Sequence, residues 1–235
     1  MNAMTTPKTL TEFLAETADQ NQGDAPWELE NERILEVKLS QQRVWMKAGA
    51  MVAYRGGIKF EREGAFEHGA SRFFKEMFTG EGAKLTKAVG SGRLFLAEGG
   101  KRITLLKLEG DGVTVNGNDL LAFQDGIEWD IRMTRKLSGM VAGGLFNLQL
   151  KGHGLVALTT HGRPLTLRVA RNMPVCTDPN ATVAWSSNLE PEFKTDISLR
   201  TLIGRASGES VQMAFSGEGF VVVQPYEERP FRARR

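Results

Sequence analysis

The chain has 235 residues, with 30 basic and 28 acidic side chains for a formal charge of +2, and a single cysteine. So balanced a charge lacks the clustered basic footprint of a nucleic-acid binder. One cysteine excludes an intramolecular disulfide or a multi-cysteine metal site, and no stretch approaches the roughly 18 consecutive apolar residues of a membrane helix.

In chain order, Met1 to Lys8 is polar and has no apolar segment behind it, which predicts neither a secretory signal nor a transit peptide and so a cytoplasmic protein. Thr9-Leu10-Thr11-Glu12 has the form of a capping box, and Leu10, Phe13 and Leu14 would share one helical stripe. Residues 1–26 therefore read as a short helix and linker, or as an untethered tail. From Trp27 the pattern turns to alternation. Ile34, Leu35, Val37 and Leu39 interleave with charged residues, and Val44 and Met46 continue the series as half-buried strands. The 26 glycines, many beside such alternation, predict tight turns between short strands and hence an all-β fold.

The strand signals repeat. Leu120 to Trp129 has the order apolar, Ala, aromatic, polar break and second apolar run, and Met51 to Phe60 and Thr182 to Leu189 are versions of it. Sliding the sequence over itself by 62 positions places Gly90 on Gly152, Gly92 on Gly154, Leu105 on Leu167, Val113 on Val175, Ala122 on Ala184 and Phe123 on Trp185. A shift of 65 places Gly152 on Gly217 and Gly154 on Gly219, and a shift of 69 places Val44 on Val113, Ala53 on Ala122 and Tyr54 on Phe123. The expectation is one all-β domain over 27–225, built as three antiparallel units around a pseudo-threefold axis. The units would be 27–66 plus 198–225, 72–131 and 134–193, the first completed by pairing the two ends of the chain. Tyr54, Phe123 and Trp185 are predicted to be buried in corresponding places.

Turn chemistry fills the gaps. Asn116-Gly117 predicts a type I′ hairpin, and Gly99-Gly100 and His161-Gly162 would close neighbouring hairpins. Ser71 to Gly82, with Phe73, Phe74, Met77 and Phe78, and its counterpart Leu137 to Leu145 predict short irregular segments. Residues 226–235 read as a disordered basic tail.

Candidate chemistry is sparse. His153 and His161 lie eight residues apart, roughly 26 Å along one extended strand, too far to share a metal. They and the isolated His68 read as surface or turn residues. Cys176, at the end of an apolar run, reads as a buried and inert thiol. The pairs Gly90/Gly92, Gly110/Gly112, Gly152/Gly154 and Gly217/Gly219 lack the third glycine or Lys-Ser/Thr of a phosphate loop and read as backbone geometry. Asn180-Ala181-Thr182 matches a glycosylation sequon but lacks a secretory context. Asp111, Asp119, Asp125, Glu128 and Asp130 could supply an acid–base pair. Interspersed with Lys107, Arg132, Arg135 and Lys136, they read as a solvated charged surface. No catalytic, cofactor or metal residue is assigned.

Five motifs in order carry a family resemblance: Trp27-Glu28-Leu29-Glu30-Asn31, Gly49 to Tyr54, Asp119 to Phe123, Gly143 to Leu148 and Gly219 to Pro225. Over roughly Trp27 to Pro225 the chain resembles the "altered inheritance of mitochondria twenty-four" family of mitochondrial biogenesis proteins and their bacterial relatives. The resemblance implies a fold similar to the tryptophan RNA-binding attenuator protein, of β-sandwich or double-stranded β-helix type, with three tandem units. Mitochondrial members are linked to inner-membrane organisation. No run of this sequence matches the attenuator protein's ligand loop or RNA-contacting lysines, so no site residues are carried over. The expected function is a non-enzymatic scaffold or interaction module that forms homo-oligomers through exposed β edges. The alternative is a small-ligand- or RNA-binding module on that fold.

Overall fold

The computed structural model describes residues 7–19, 23–62, 85–133, 146–195 and 211–228. His68 and the segments Ser71 to Gly82 and Leu137 to Leu145 lie outside the described residues. Among the described residues a single helix, α1 (Leu10–Glu16), precedes fourteen strands. The capping box forms as read: the Thr9 side chain accepts from the Glu12 backbone N–H, and the Glu12 carboxylate accepts from the Thr9 N–H at 2.8 Å. Its apolar stripe is not part of the core: Leu10, Phe13 and Leu14 are all exposed.

The strands are β1 (Trp27–Asn31), β2 (Ile34–Lys47), β3 (Met51–Arg62), β4 (Leu85–Leu96), β5 (Arg102–Asn116), β6 (Leu120–Gln124), β7 (Glu128–Met133) and β8 (Phe146–Thr160). They continue with β9 (Leu165–Val169), β10 (Val175–Thr177), β11 (Thr182–Ser186), β12 (Glu192–Thr195), β13 (Val211–Phe215) and β14 (Gly219–Val223). Eleven strands form one antiparallel sheet in the order β3-β4-β2-β6-β8-β5-β11-β14-β9, with β1 added on β2 and β7 on β8. A second sheet has the order β10-β13-β12. The all-β expectation holds at this level.

The long strands bend where the glycine pairs fall. Pairing of β2 with β4 shifts register between Leu39 and Gln42, opposite Gly92 and Gly90, and Gln41 there takes a φ of 54°. Pairing of β5 with β8 shifts between Glu109 and Gly112, next to Gly110 at φ 96°. These are β-bulges, which sharpen the local twist. The backbone approaches too closely for any side chain at Gly90, where a Cβ would lie 2.1 Å from the Gly57 carbonyl oxygen. The Gly-x-Gly pairs thus serve backbone geometry.

Three apolar clusters follow the sheet. One joins β1, β2, β3 and β4 to Leu121 and Ala122 of β6. The next gathers Val113, Val115, Phe123, Leu148, Leu150 and Val183. The third holds Val169, Trp185, Met213, Phe215 and Val221.

Several expectations fail for reasons the strand order makes plain. Neither β1, β2 nor β3 pairs with β13 or β14; the N-terminal strands pair with β4 and β6, and β13 and β14 with β9 to β12. No strand pairing joins the two ends among the described residues, and 198–210 of the expected first unit lie outside them. Asn116-Gly117 does not make a type I′ hairpin. The Asn116 side-chain oxygen accepts from the Asn118 N–H at 3.0 Å, and the Asp119 N–H reaches the Asn116 carbonyl at 2.9 Å. This is an Asx-initiated turn in which neither Gly117 nor Asn118 has positive φ. Gly99-Gly100 does form a turn with both φ positive, but it carries the chain from β4 to β5, which do not pair. His161-Gly162 likewise links β8 to β9 without a hairpin. Phe123 and Trp185 are buried, whereas Tyr54 is 48% exposed on β3, the end strand of the sheet, whose outer edge no described strand pairs. Cys176 is exposed rather than buried, since β10 is the end strand of its sheet.

Candidate functional site

The strongest concentration of buried charge forms where the ends of β5, β8 and β14 meet. The Asx turn places Asp119 at the start of β6 with no exposed surface. Its Oδ1 accepts from Lys101 Nζ at 3.2 Å and from Gln224 Nε2 at 3.2 Å, and its Oδ2 is buried without a hydrogen-bond partner. Lys101 is fixed by the Gly99-Gly100 turn, and Nζ also donates to the Asn118 carbonyl at 3.1 Å. Glu228 faces Lys101 from the other side. The Glu228 N–H donates to the Asn180 carbonyl at 2.9 Å. This part of the segment read as a disordered tail is therefore tied into the fold.

Further contacts extend the network. Gln224 Oε1 accepts from the His161 N–H at 2.7 Å, and the His161 ring lies on Tyr226 with centroids 3.9 Å apart. Lys47 pairs with Glu98 and donates to the Asn118 carbonyl at 2.9 Å. Thr159 Oγ1 donates to Glu98 at 3.2 Å. Above lies a cleft of about 600 Å³ lined by Asn180, Ala181, Gln224, Pro225, Tyr226, Glu227 and Glu228.

Electrostatics follow from burial. Removal from water pushes the Asp119 carboxyl up to about 7, against the attraction of Lys101. Burial also works to discharge Lys101, but the charges of Asp119, Glu228 and Glu98 outweigh it and hold its pKa above the ordinary value. The result is one tightly held cation among several carboxyls, one of which titrates near neutrality. Such a group can hold or release a proton beside the cleft.

A second cluster ties the N-terminal segment to the sheet. Arg93 pairs with the fully buried Glu36 and, at 2.9 Å, with Asp19, while Asp19 also accepts from Arg55 at 2.6 Å. Both guanidinium groups lie near the Phe95 ring, at 5.6 and 5.8 Å. Hydrogen bonding and the charge of Arg93 overcome burial and hold the Glu36 carboxyl below the usual range.

The sequence-read candidates scatter. His153 is exposed on β8, and His161 joins the Asp119 network but not His153. Asp111, Asp125, Glu128 and Asp130 are exposed, as a solvated surface requires. Asp119 departs from that group and opens the motif Asp119 to Phe123; its partner Gln224 lies in the motif Gly219 to Pro225, whereas Lys101 and Glu228 belong to no motif. One signal was available: the offsets of 69 and 62 residues put Ala50 and Ala181 where Asp119 stands, so a charge replaces alanine within an apolar frame. Among the described residues no group of three or more His, Cys, Asp or Glu could hold a metal. No helix of the described residues is long and apolar enough to cross a membrane.

The model for the family described as "Mitochondrial biogenesis AIM24" matches residues 27–226. The chain belongs to the AIM24 family. That span begins at β1 and includes every strand, together with Gln224 and Tyr226 of the cleft. Among solved structures the chain is similar to SPYM3_0169 from Streptococcus pyogenes, an X-ray crystal structure, at a TM-score of 0.66 and 21% identity. The match covers 86% of this chain and 92% of that one, and at this identity it speaks for the fold alone. Comparison with curated proteins gave no match.

Proposed function

We propose that this AIM24-family chain is a non-enzymatic β scaffold that assembles with copies of itself. The observation that carries the reading is the placement of exposed apolar side chains on the terminal strands of the sheet. Met51, Val52, Tyr54 and Phe60 stand exposed on β3, and Leu165 on β9 at the other end of the strand order. A strand edge with free N–H and C=O groups beside apolar side chains is a ready template for another strand. The single exposed cysteine suits a reducing compartment, and we place the protein in the cytoplasm. The cleft at Asp119 carries acidic side chains, the wrong sign for RNA phosphates, which favours the scaffold over the RNA-binding alternative.

The scaffold reading includes three successive β units: β2 to β4, β5 to β8, and β9 to β14. Support comes from coincidence of sequence offset and strand position. The 69-residue shift lays β2 on β5 and the start of β3 on β6, and the 62-residue shift lays β6 on β11 and β7 on β12. The bulge positions Gln41 and Gly110 are themselves 69 apart, and both take positive φ.

Light scattering coupled to gel filtration tests the scaffold reading. The expected mass exceeds the 25.9 kDa of one chain and rises with protein concentration. A strict monomer at high micromolar concentration would remove the reading.

A further inference from the structure

The chain contains two junctions of one design and the unmatched halves of a third. In the first, β6 pairs with the second half of β2, setting Ala122 against Met46, Phe123 against Trp45 and Gln124 against Val44. In the second, β11 pairs with the second half of β5, setting Ala184 against Val115, Trp185 against Thr114 and Ser186 against Val113. The same sequence offsets that relate these strands identify a third pair: the start of β3, Ala53 to Arg55, and β10, Val175 to Thr177. In the folded chain those two strands do not pair with each other. β3 ends the large sheet and β10 ends the small one, and no other described strand pairs with the outer edge of either.

The flanking strands make the halves equivalent to the completed junctions. The start of β3 is backed by β4, with Met51 opposite Leu96 and Tyr54 opposite Leu94. β6 is backed in the same way by β8, with Leu120 opposite Leu158 and Phe123 opposite Val156. β11 is backed by β14, with Trp185 opposite Val221. On the other side, β10 is backed by β13, as β2 is by β4 and β5 by β8.

Burial follows the junctions. Where the junction is made, Leu121, Val183, Phe123 and Trp185 are all buried. Where it is not, their counterparts Val52 and Tyr54 are 55% and 48% exposed, and Cys176 is exposed where Trp45 and Thr114 are buried. The exposed aromatic and aliphatic side chains therefore have a defined missing partner, a strand with the sequence of β10.

We propose that the edge of β3 pairs antiparallel with β10 of a second copy of this chain, setting Ala53 against Thr177, Tyr54 against Cys176 and Arg55 against Val175. This deepens the scaffold reading and rests on it. The contact is heterologous, joining one surface to a different one, so it closes into a ring or extends as a filament according to the rotation it imposes. Arg55 is tied to Asp19 through its side chain, and its backbone pairs with β4 alone among the described strands. Within an antiparallel ladder, directly opposed residues bring their Cβ atoms to about 4.5–5.5 Å, close to what a disulfide requires.

The lone native cysteine makes the register testable in the full chain. Wild type, which carries only Cys176, is mixed with the double variant Tyr54→Cys/Cys176→Ser, which carries only the new thiol, and the mixture is oxidised mildly. The expected product is a disulfide-linked heterodimer at about twice the 25.9 kDa chain mass, absent when Leu165→Cys/Cys176→Ser replaces the double variant. A thermal melt verifies that the double variant folds. If it does not, Arg55→Cys/Cys176→Ser mixed with Val175→Cys/Cys176→Ser probes the same register. An internal disulfide in the single variant Tyr54→Cys, seen as a faster monomer band with no heterodimer in the mixture, overturns the proposal by assigning the edge to the chain's own β10. Failure of every pair to cross-link while light scattering still reports oligomers overturns this surface and leaves the scaffold reading standing. Failure to cross-link together with a strict monomer removes both.

Discussion

Phe123→Ala is expected to lower the free energy of unfolding by about 3–5 kcal/mol, the cost of a buried aromatic truncation that leaves a cavity. Phe123 has no exposed surface. Its ring stacks on Trp45 with centroids 5.9 Å apart and planes 9° from parallel, and meets Trp129 edge-on at 6.1 Å. Trp45 and Trp129 also contact each other at 5.2 Å, so the three rings form a closed set across β2, β6 and β7. The backbone at Phe123 is paired on both sides, to Trp45 and to Val156. The walls of the cavity therefore cannot collapse without breaking ladder hydrogen bonds, which places the cost toward the upper end. Urea denaturation is the appropriate measurement, and the midpoint should fall with little change in slope. A loss below about 1 kcal/mol would mean that the aromatic set does not anchor this junction.

The second large effect is a dependence on pH centred on Asp119. Its folded pKa of about 7 lies above the ordinary carboxyl value of 3.8. The folded state therefore binds the proton more tightly than the unfolded state. Below the unfolded pKa both states are protonated and there is no penalty. As pH rises through the window between the two values, the unfolded chain loses the proton first and the folded protein is progressively destabilised. Above the folded pKa the penalty is complete, on the order of 4 kcal/mol at about 1.4 kcal/mol for each pH unit of that window. Asp119→Asn removes this titration while an oxygen remains to accept from Lys101 and Gln224. Any fixed cost of the amide is independent of pH. Relative to the variant, the wild type should thus lose stability between about pH 4 and pH 7, as chemical denaturation at a series of pH values would detect. Parallel profiles for the two proteins would show that the carboxyl titrates as it does in water.

Much of the fold could be read from local pattern. The alternation in Ile34 to Leu39 and the apolar run Leu120 to Phe123 each mark a strand because side-chain direction is set within the strand itself. The capping box at Thr9 and the glycine pairs could be read for the same reason, since both act over a few residues. What failed depends on distant partners. Tyr54 has the local sequence of Phe123, but burial of an aromatic on a strand is decided by whether strands lie on both sides, and among the described strands β3 is paired by β4 alone. Cys176 follows the same rule. The turn at Asn116 went to an Asx-type geometry because its side chain supplied the competing acceptor.

The candidate site was hidden for a related reason. Asp119 sits in sequence among carboxylates that are solvated, and its distinguishing partner Gln224 lies 105 residues away. Glu228 lies in a stretch whose local character is that of a charged tail. Only folding gathers these groups; in the sequence the position is marked by the exchange of alanine for aspartate at equivalent offsets and by its place at the head of the motif Asp119 to Phe123.

Hydrogen exchange along the unpaired edges tests the account most directly. At high protein concentration the outward amides of β3 and β10 should be protected, and dilution should release them together while amides of β6 and β11 remain slow. Exchange of the β3 and β10 edges at the rate of free edges at every concentration would contradict assembly through them.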